Sequence, residues 1–267
     1  MRLIVLGAAG RMGRQLITAI DQAADLQLAG AIEYAGSEHL GRDSGELAGL
    51  GANGIAIDSA IEPRLEQADA IMDFTLPESS RHYSQIAAEH GVMHVVGTTG
   101  LSAEDKTVLA AAAEKTVLIQ AGNMSLGVNL LMALVKQAAS ALDADFDIEV
   151  LEMHHRHKID APSGTALMLG EAAAAGRGID LDGNMLTGRE ENRAARPEGG
   201  IGFATLRGGS VIGSHSVIIA ANGERLEFNH IAEDRALFAN GALKAARWGQ
   251  GKAPGYYTMQ DVLGLTA

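Results

Sequence analysis

The chain has 267 residues, of which 47% are hydrophobic and 20% are charged, a composition that excludes a disordered protein and allows one large or two modest domains. Its formal net charge of −12 argues against nucleic-acid binding, which needs a basic surface. The absence of Cys excludes disulfides, thiolate metal sites and a catalytic thiol, and it fits a cytoplasmic location.

The first half of the chain alternates short apolar strands with helices. Strands are predicted over Arg2–Leu6, Gln27–Ile32, Ala70–Phe74, Val92–Val96 and Thr116–Ile119, and helices over Arg11–Ile20 and Ser79–His90. Ser102, with Asp105 three residues further on, predicts a capping box that opens another helix. This alternation is typical of a parallel sheet in an α/β domain.

The pattern changes after about residue 123. Helices are predicted over Leu126–Leu142, Ser163–Ala175 and Ala236–Trp248, and strands over Asp147–Met153, Ile201–Leu206, Val211–Ala220 and Arg225–Ile231. Asn222-Gly223 between the last two strands is typical of a hairpin, so we expect an α+β domain with a mixed, largely antiparallel sheet. The polar and aperiodic stretch Gly183–Gly200 is interpreted as an exposed loop.

A glycine-rich turn joins the first predicted strand to the first predicted helix. The stretch G-A-A-G-R-M-G contains Gly7, Gly10 and Gly13. Glycines in such a turn let the backbone approach a pyrophosphate, whose charge the helix N-terminus favours. A tight turn without a ligand is the alternative, but Glu33 ends the second strand, where a carboxylate can accept hydrogen bonds from an adenosine ribose. We therefore predict a Rossmann-type dinucleotide site.

The residues around Glu33 bear on which nicotinamide cofactor is used. A carboxylate suits the free ribose of NAD and repels the 2′-phosphate of NADP, and the next residue, Tyr34, is not basic. Arg11 and Arg14 at the helix start can partly offset that repulsion. The sequence thus favours NADH, with use of both NADH and NADPH left open.

Three further strands end in polar, glycine-containing loops. These loops contain Phe74 and Thr75, then Gly97, Thr98 and Thr99, and then Gly122, Asn123 and Met124. Any one of them can be an ordinary loop. Because ligands bind at the carboxyl ends of parallel strands, the three together predict a nicotinamide pocket.

The run His154–Lys158, H-H-R-H-K, collects five residues that can carry positive charge in an acidic chain. Pro162 follows, and Ser163 is a typical helix N-cap before Gly164 and Thr165. The N–H groups of that helical turn, the two hydroxyls, the Lys158 charge and a histidine donor predict a small anion site. Carboxylate and phosphate both fit this pattern.

Three other interpretations of the run compete with an anion site. It can be a solvated basic turn. His155 and His157 can share a zinc ion, but no third ligand is suitably spaced, so we predict no metal. A histidine can also be a hydrogen-bonded core residue, which is our interpretation of His157 and remains open for His154.

Residues 152–166, E-M-H-H-R-H-K-I-D-A-P-S-G-T-A, resemble the signature of the 4-hydroxy-tetrahydrodipicolinate reductase (dihydrodipicolinate reductase) family. G-A-A-G-R-M-G-R, D-F-T at 73–75, G-T-T-G at 97–100, A-G-N-M-S-L-G-V-N from 121, I-G-F-A-T-L-R-G-G from 201 and F-A-N-G-A from 238 are similar to that family too. The resemblance covers essentially the whole chain. The histidine-run signature is highly specific, whereas the glycine turn alone is not.

The resemblance implies an enzyme that uses NADH or NADPH to reduce a cyclic product of pyruvate and aspartate semialdehyde to tetrahydrodipicolinate. It implies that His154 is the acid–base residue and that Lys158 donates a proton to the substrate. The residues implied to hold the substrate carboxylates are His155, Lys158, Ser163, Gly164 and Thr165. Those implied to contact the cofactor are Gly7, Arg11, Met12, Glu33, Phe74, Thr75, Gly97, Thr99, Asn123, Met124 and Arg235.

The resemblance also implies the domain organisation and assembly. A dinucleotide-binding domain of residues 1–125 is completed by 235–267, and a substrate-binding and tetramerisation domain spans 126–234. Its antiparallel sheet is expected to join a homotetramer. No apolar run reaches the length of a membrane span, so no membrane partner is expected.

Two positions depart from the family pattern. Many members carry a basic residue where this chain has Tyr34, and others can carry an aromatic residue where it has Met124.

Two alternative functions remain at this point. One is another NAD(P)-dependent dehydrogenase of amino-acid metabolism, such as an aspartate or homoserine dehydrogenase. The other is a non-catalytic dinucleotide sensor.

Overall fold

The computed structural model describes residues 1–188 and 195–266. The chain divides into two compact units, Met1–Leu126 with Ala236–Ala267 and Gly127–Arg235. Among the described residues, no helix has the length and apolar character needed to cross a membrane.

The first unit is built on a parallel sheet. Its strands are β1 Arg2–Leu6, β2 Gln27–Ile32, β3 Ile57–Asp58, β4 Ala70–Asp73, β5 Met93–Val96, β6 Val117–Gln120 and β12 Gly255–Tyr257. Its helices are α1 Arg11–Asp21, α2 Ser44–Leu47, α3 Glu62–Leu65, α4 Pro77–His90, α5 Ala103–Ala113, α8 Ala236–Gly249 and α9 Met259–Val262. The strand order is β12-β6-β5-β4-β1-β2-β3. From β1 the chain adds strands first on one side, through β2 to β3, and then on the other, through β4 to β6. Open α/β sheets bind ligands where the order of strands changes side in this way.

The core of this unit follows from the apolar runs of its central strands. Residues 3–6 of β1 and all of β4 and β5 are buried, as expected for strands covered by helices on both faces. Ser102 and Asp105 form the predicted capping box at the start of α5. The predicted parallel sheet is confirmed, and its predicted strands and helices end within two residues of the observed ones.

The second unit contains a mixed sheet, as predicted. Its strands are β7 Asp147–His154, β8 Met185–Leu186, β9 Ile201–Arg207, β10 Gly213–Ala221 and β11 Glu224–Ala232, and its helices are α6 Leu126–Ala141 and α7 Gly164–Arg177. The order is β11-β10-β7-β9-β8, with antiparallel pairing of β10 to β11 and β7 and parallel pairing of β9 to β7 and β8. The predicted hairpin at Asn222-Gly223 is confirmed, and Gly223 has φ +90.

The expected exposed loop Gly183–Gly200 is partly wrong. Residues 189–194 lie outside the described part of the chain, but Met185–Leu186 forms a strand that pairs with β9. Arg196 is largely buried and contacts Asp147 at 2.8 Å and Glu149 at 2.9 Å. A guanidinium with two carboxylate partners fixes this segment against the sheet, and polarity alone does not predict that.

Gly241 in α8 lies against the loop that follows β6. A Cβ atom at this position would lie 1.8 Å from the Met124 carbonyl oxygen, so only glycine permits the observed packing. This explains the glycine of the F-A-N-G-A motif.

We predict that Gly241→Ala lowers the free energy of unfolding by about 1–3 kcal/mol, because the added methyl group overpacks a backbone contact. Where the added methyl group meets no clash, a Gly→Ala change in a helix interior stabilises the protein. Gly51→Ala, outside the helices, is the control for an added methyl group, since a Cβ atom there meets nothing within 4 Å. Urea denaturation of both variants checks this, and a Gly241→Ala protein as stable as the control would contradict it.

Candidate functional site

The glycine turn between β1 and α1 is closely packed. Gly7 has φ +64, and its carbonyl accepts a hydrogen bond from the Gly10 N–H at 2.9 Å. A Cβ atom at Gly13 would lie 2.1 Å from the Gly7 oxygen. Gly10 caps α1 without a side chain, and Arg11 and Met12 begin the helix with no acidic residue in its first turn. The turn therefore presents backbone N–H groups and a positive helix end, which suit a phosphate.

Glu33 is tied directly to this turn. Its Oε1 accepts a hydrogen bond from the Ala9 N–H at 2.9 Å, which fixes the carboxylate at the end of β2. The Arg14 Nε donates to the Ala9 carbonyl at 2.8 Å, so this arginine braces the turn. Tyr34 is 71% exposed. Arg11 and Arg14 were expected to offset the charge of Glu33. Of these two, only the Arg11 side chain has no hydrogen-bond or ion-pair partner among the described contacts.

A cleft of about 620 Å³ opens at the carboxyl ends of β1, β2 and β4. Five of the predicted cofactor residues line it, namely Gly7, Gly10, Glu33, Phe74 and Thr75. The remaining walls are apolar, aromatic or polar side chains that include Leu76, Ser79 and Tyr83. A cleft of this size, with a glycine cradle and a fixed carboxylate, fits the adenosine and phosphate parts of a dinucleotide.

A buried network supports the loops beside this cleft. Asp73, fully buried, accepts hydrogen bonds from the Thr75 N–H at 3.0 Å and the Thr75 hydroxyl at 2.6 Å. The His94 ring lies 3.2 Å from the same carboxylate. Burial acts to raise the pKa of Asp73, but His94 and the hydrogen bonds from Ser80 and Thr75 together outweigh it and hold that pKa below its usual range. The carboxylate thus fixes the loop at the end of β4.

The predicted loop residues divide into inward-facing and exposed groups. Thr98 is 2% exposed, and its hydroxyl accepts from Ser80 at 2.7 Å and donates to Asp73 at 3.4 Å. Its side chain supports the loop from inside, and its expected contact with a cofactor stays a prediction. Met124 is buried as well, whereas Thr99 and Gly122 are exposed. Gly97 is needed because a Cβ atom there would lie 2.4 Å from the Phe74 ring.

In the second unit, β7 ends at His154 and points it towards a buried carboxylate. Burial alternates along β7, so Glu152 and His154 share its buried face. The His154 Nδ1 lies 2.6 Å from Glu152 Oε2, and Arg207 donates to both Glu152 oxygens at 2.8 and 2.9 Å. Burial lowers the pKa of His154 although Glu152 acts to raise it. His154 is therefore predominantly neutral at pH 7.

Ser163 caps α7 as predicted, and this role occupies it. Its hydroxyl accepts the Ala166 N–H at 3.2 Å and lies 3.1 Å from His215 Nε2, while its own N–H donates to Glu152 at 3.1 Å. The side chain is 1% exposed. Cap formation directs the Ser163 hydroxyl into the protein, and its expected part in holding an anion stays a prediction. Gly164 begins the helix beside it.

The remaining cationic residues lie around the loop after β7. Lys158 Nζ contacts Asp160 at 2.8 Å. His155 is partly exposed, and burial together with the charge of Arg235 lowers its pKa. Arg235, expected near the cofactor, belongs to the second unit beside His155. His157 is exposed, so its interpretation as a core residue is wrong.

Among the residues that the structure describes, the histidines do not form a metal site. The His155 and His157 rings are 6.3 Å apart, and both residues follow the end of β7. Within residues 1–188 and 195–266, no three His, Cys, Asp or Glu side chains come together as metal ligands.

Sequence reasoning assigned no role to several residues that organise these sites. They are Asp73, His94, Glu152, Arg207 and His215. The alternation of buried and partly exposed residues along β7 could have identified Glu152, because a residue two positions before His154 lies on the same face of the strand. Arg207 is across from His154 in the β7–β9 register, and only strand pairing reveals that.

The parallel sheet, the glycine turn and its carboxylate place the chain among the Rossmann-type dinucleotide-binding proteins. Family models of the dihydrodipicolinate reductase N-terminus and C-terminus match residues 1–124 and 127–263. The chain therefore belongs to the dihydrodipicolinate reductase family.

Curated relatives match over nearly the whole chain. The 4-hydroxy-tetrahydrodipicolinate reductase 1 of Mesorhizobium japonicum is 58% identical over 267 residues, which are 100% of this chain and 98% of that protein. The 4-hydroxy-tetrahydrodipicolinate reductase of Afipia carboxidovorans is 58% identical over 265 residues, 99% of this chain and 97% of that protein.

A solved structure shares the fold. The dipicolinate-bound dihydrodipicolinate reductase from Paenisporosarcina sp. TG-14 superposes with a TM-score of 0.79 and 22% identity, covering 98% of each chain. At that identity the likeness shows the fold alone.

We predict that His215 makes stability depend on pH. Burial, reinforced by nearby His154, lowers the pKa of His215 to about 4 from 6.5. Between these values the unfolded chain binds a proton that the folded protein does not, so the free energy of unfolding falls with falling pH by up to about 1.4 kcal/mol per unit. Above pH 6.5 this effect vanishes.

We expect His215→Gln to reduce the change in the free energy of unfolding with pH. The control, His82→Gln at an exposed histidine, should leave that change as it is in the wild type. Urea denaturation at intervals between pH 4.5 and 7.5 measures both. Equal slopes in the two variants would show that His215 does not titrate as its environment requires.

Proposed function

We propose that this protein reduces 4-hydroxy-tetrahydrodipicolinate to tetrahydrodipicolinate, with NADH or NADPH as reductant and loss of water, in the diaminopimelate route to lysine. The observation that carries the proposal is the full-length similarity at 58% identity to reductases of that name. The arrangement of cationic groups around His154 supports it, because the substrate is a small dicarboxylate.

The first unit supplies the cofactor site in this proposal. Gly7 and Gly10 hold the pyrophosphate on the start of α1, where Gly13 allows the turn to pack closely, and Glu33 accepts hydrogen bonds from the adenosine ribose. Phe74 and Thr75, with the loops at Gly97–Thr99 and Gly122–Met124, surround the nicotinamide. The bound nicotinamide provides the hydride. We propose NADH as the preferred cofactor with NADPH also used, since Tyr34 offers no charge to a 2′-phosphate.

The second unit supplies proton chemistry and charge. Reduction of a conjugated ring leaves negative charge on an atom that must receive a proton, and Lys or His can deliver it near neutral pH. Lys158 takes the role of proton donor, and His154 takes that of the acid–base group, because burial lowers its pKa and leaves a neutral ring that can accept a proton. His155, Lys158, the α7 N-terminus at Gly164 and Thr165 hold the substrate carboxylates.

The test is nicotinamide oxidation followed by absorbance at 340 nm (the nicotinamide band). The substrate is generated in place from pyruvate and aspartate semialdehyde by the synthase that condenses them. Oxidation that requires both precursors, with NADH and NADPH assayed separately, supports the proposal. A folded protein that binds the nucleotide without turnover would refute it.

We predict that Lys158→Ala lowers kcat about 100-fold or more with little change in nucleotide affinity, because proton transfer contributes about 10²–10⁴-fold. Arg156→Ala is the matched control, since it removes an exposed cation from the same run. Steady-state kinetics and nucleotide titration check both variants. Parallel losses of turnover and nucleotide affinity would place Lys158 outside the substrate site.

We predict that Glu33→Ala weakens NADH binding about tenfold and NADPH binding less, because the change removes a ribose acceptor but also a charge that repels the 2′-phosphate. The Ala9 N–H loses its partner for both cofactors, so only the ratio of the two dissociation constants is diagnostic. Exposed Glu38→Ala is the control. Fluorescence titration with each cofactor gives the ratio, and a change that favours NADH would reject the role.

We also propose a cytoplasmic homotetramer assembled through the five-stranded sheet. Leu206, Leu226 and Ile231 expose large apolar side chains on β9 and β11, and such surfaces are commonly covered by a partner. Light scattering that gives the 27.8 kDa mass of one chain would exclude this assembly.

A further inference from the structure

Glu152 is the most heavily bonded carboxylate around the proposed acid–base residue. It is 1% exposed, and both of its oxygens are occupied. Oε1 accepts from the Ser163 N–H at 3.1 Å, the Thr205 hydroxyl at 3.3 Å and an Arg207 nitrogen at 2.9 Å. Oε2 accepts from the other Arg207 nitrogen at 2.8 Å and lies 2.6 Å from His154 Nδ1.

This geometry fixes the donor in the Glu152–His154 contact. Burial acts to raise the pKa of Glu152, but the hydrogen bonds from Arg207, His154 and Ser163 outweigh it and keep the group ionised at neutral pH. A carboxylate only accepts hydrogen bonds. The proton of neutral His154 must therefore sit on Nδ1, which leaves Nε2 with its lone pair.

The contacts of Glu152 reach beyond its ion pair to the His154 ring and the Lys158 loop. The two-pronged ion pair with Arg207 already neutralises Glu152, and three further donors complete its coordination. Arg207 also donates to the Asp160 carbonyl at 2.6 Å, and Asp160 pairs with Lys158. The same carboxylate–guanidinium pair thus reaches both His154 and the loop that carries Lys158.

We propose that Glu152 is a positioning residue that holds the His154 proton on Nδ1 and thereby presents Nε2 to the substrate, with Arg207 fixing and neutralising the carboxylate. The acid–base role of His154 rests on the function proposed above. The tautomer of the ring follows from its contact with Glu152 and does not rest on that function. The arrangement follows the general rule that the partner of one ring nitrogen decides the chemistry of the other.

The charges that face His154 come from several elements. Glu152 on β7 acts to raise its pKa, whereas Lys158 in the following loop and Arg207 on β9 act to lower it. On β10, His215 has its ring centroid 5.0 Å from that of His154 and remains neutral at pH 7. Removing Glu152 and removing Arg207 should therefore shift the titration of His154 in opposite directions, which loss of packing would not do.

The first measurement is ring-nitrogen NMR of protein labelled with ¹⁵N-histidine, with no substrate present. His154→Asn assigns the His154 signals. We expect the Nδ1–H form in the wild type at pH 7.5, and a shift towards the Nε2–H form in Glu152→Gln, because its amide can donate to Nδ1. The titration midpoint of His154 should fall in Glu152→Gln and rise in Arg207→Gln. An Nε2–H wild type, or midpoints that move in the same direction, would overturn the proposal.

The second measurement is steady-state kinetics. We expect Glu152→Gln to lower kcat about 100-fold while KM for the nucleotide stays within about twofold, as for loss of the orienting carboxylate of a histidine base. Glu152→Asp keeps the charge and should restore part of the lost kcat.

The double variant Glu152→Gln/Arg207→Gln separates folding from positioning, because it removes both charges of the buried pair. We expect its thermal stability to recover towards the wild type while kcat stays low. Recovery of kcat together with stability would show that Glu152 serves folding alone. If the wild-type protein lacks reductase activity, the function proposed above fails, but the NMR result still decides the role of Glu152.

Discussion

A buried carboxylate stays ionised only where hydrogen-bond donors surround it, and the second unit is organised around that requirement at Glu152. Its donors come from the end of β7, from β9 and from the start of α7. Satisfying one charge therefore fixes three separate elements relative to each other. Glu152 contacts the His154 ring and the α7 N-terminus directly, and Arg207 extends this network to the loop with Lys158.

The first unit solves a similar problem at Asp73. This carboxylate is buried at the end of β4, and its partners are Thr75 in its own loop and His94 on the neighbouring strand. Both units thus use a buried acid at the end of a central strand to hold the loop that follows. In each case the side chains next to the acid in sequence are the ones implicated in binding, so rigidity and function come from the same short segment.

The sequence predicted most of the fold because its strong signals are local. Apolar runs, the capping residues Ser102 and Ser163 and the Asn222-Gly223 turn all act within a few residues, and each appears in the structure. The short elements β3, β8 and β12 were missed because two or three residues carry no periodicity and depend on neighbouring strands. Arg196 was missed for a related reason, since its carboxylate partners lie 47 and 49 residues away.

The sequence predicted which residues belong to the site, but it did not predict the role of each one. Motifs located Glu33, His154, Lys158 and Ser163, yet hydrogen bonding decides which atoms of these residues remain available. Ser163 illustrates this, because a helix cap and an anion ligand have the same residue preference while the cap directs the hydroxyl inward. The positive charge near His154 is likewise smaller than the sequence indicates. Glu152 neutralises Arg207 and Asp160 pairs with Lys158. With two of the cations already paired and His154 itself neutral, the backbone N–H groups at the start of α7 are a further source of attraction for a carboxylate.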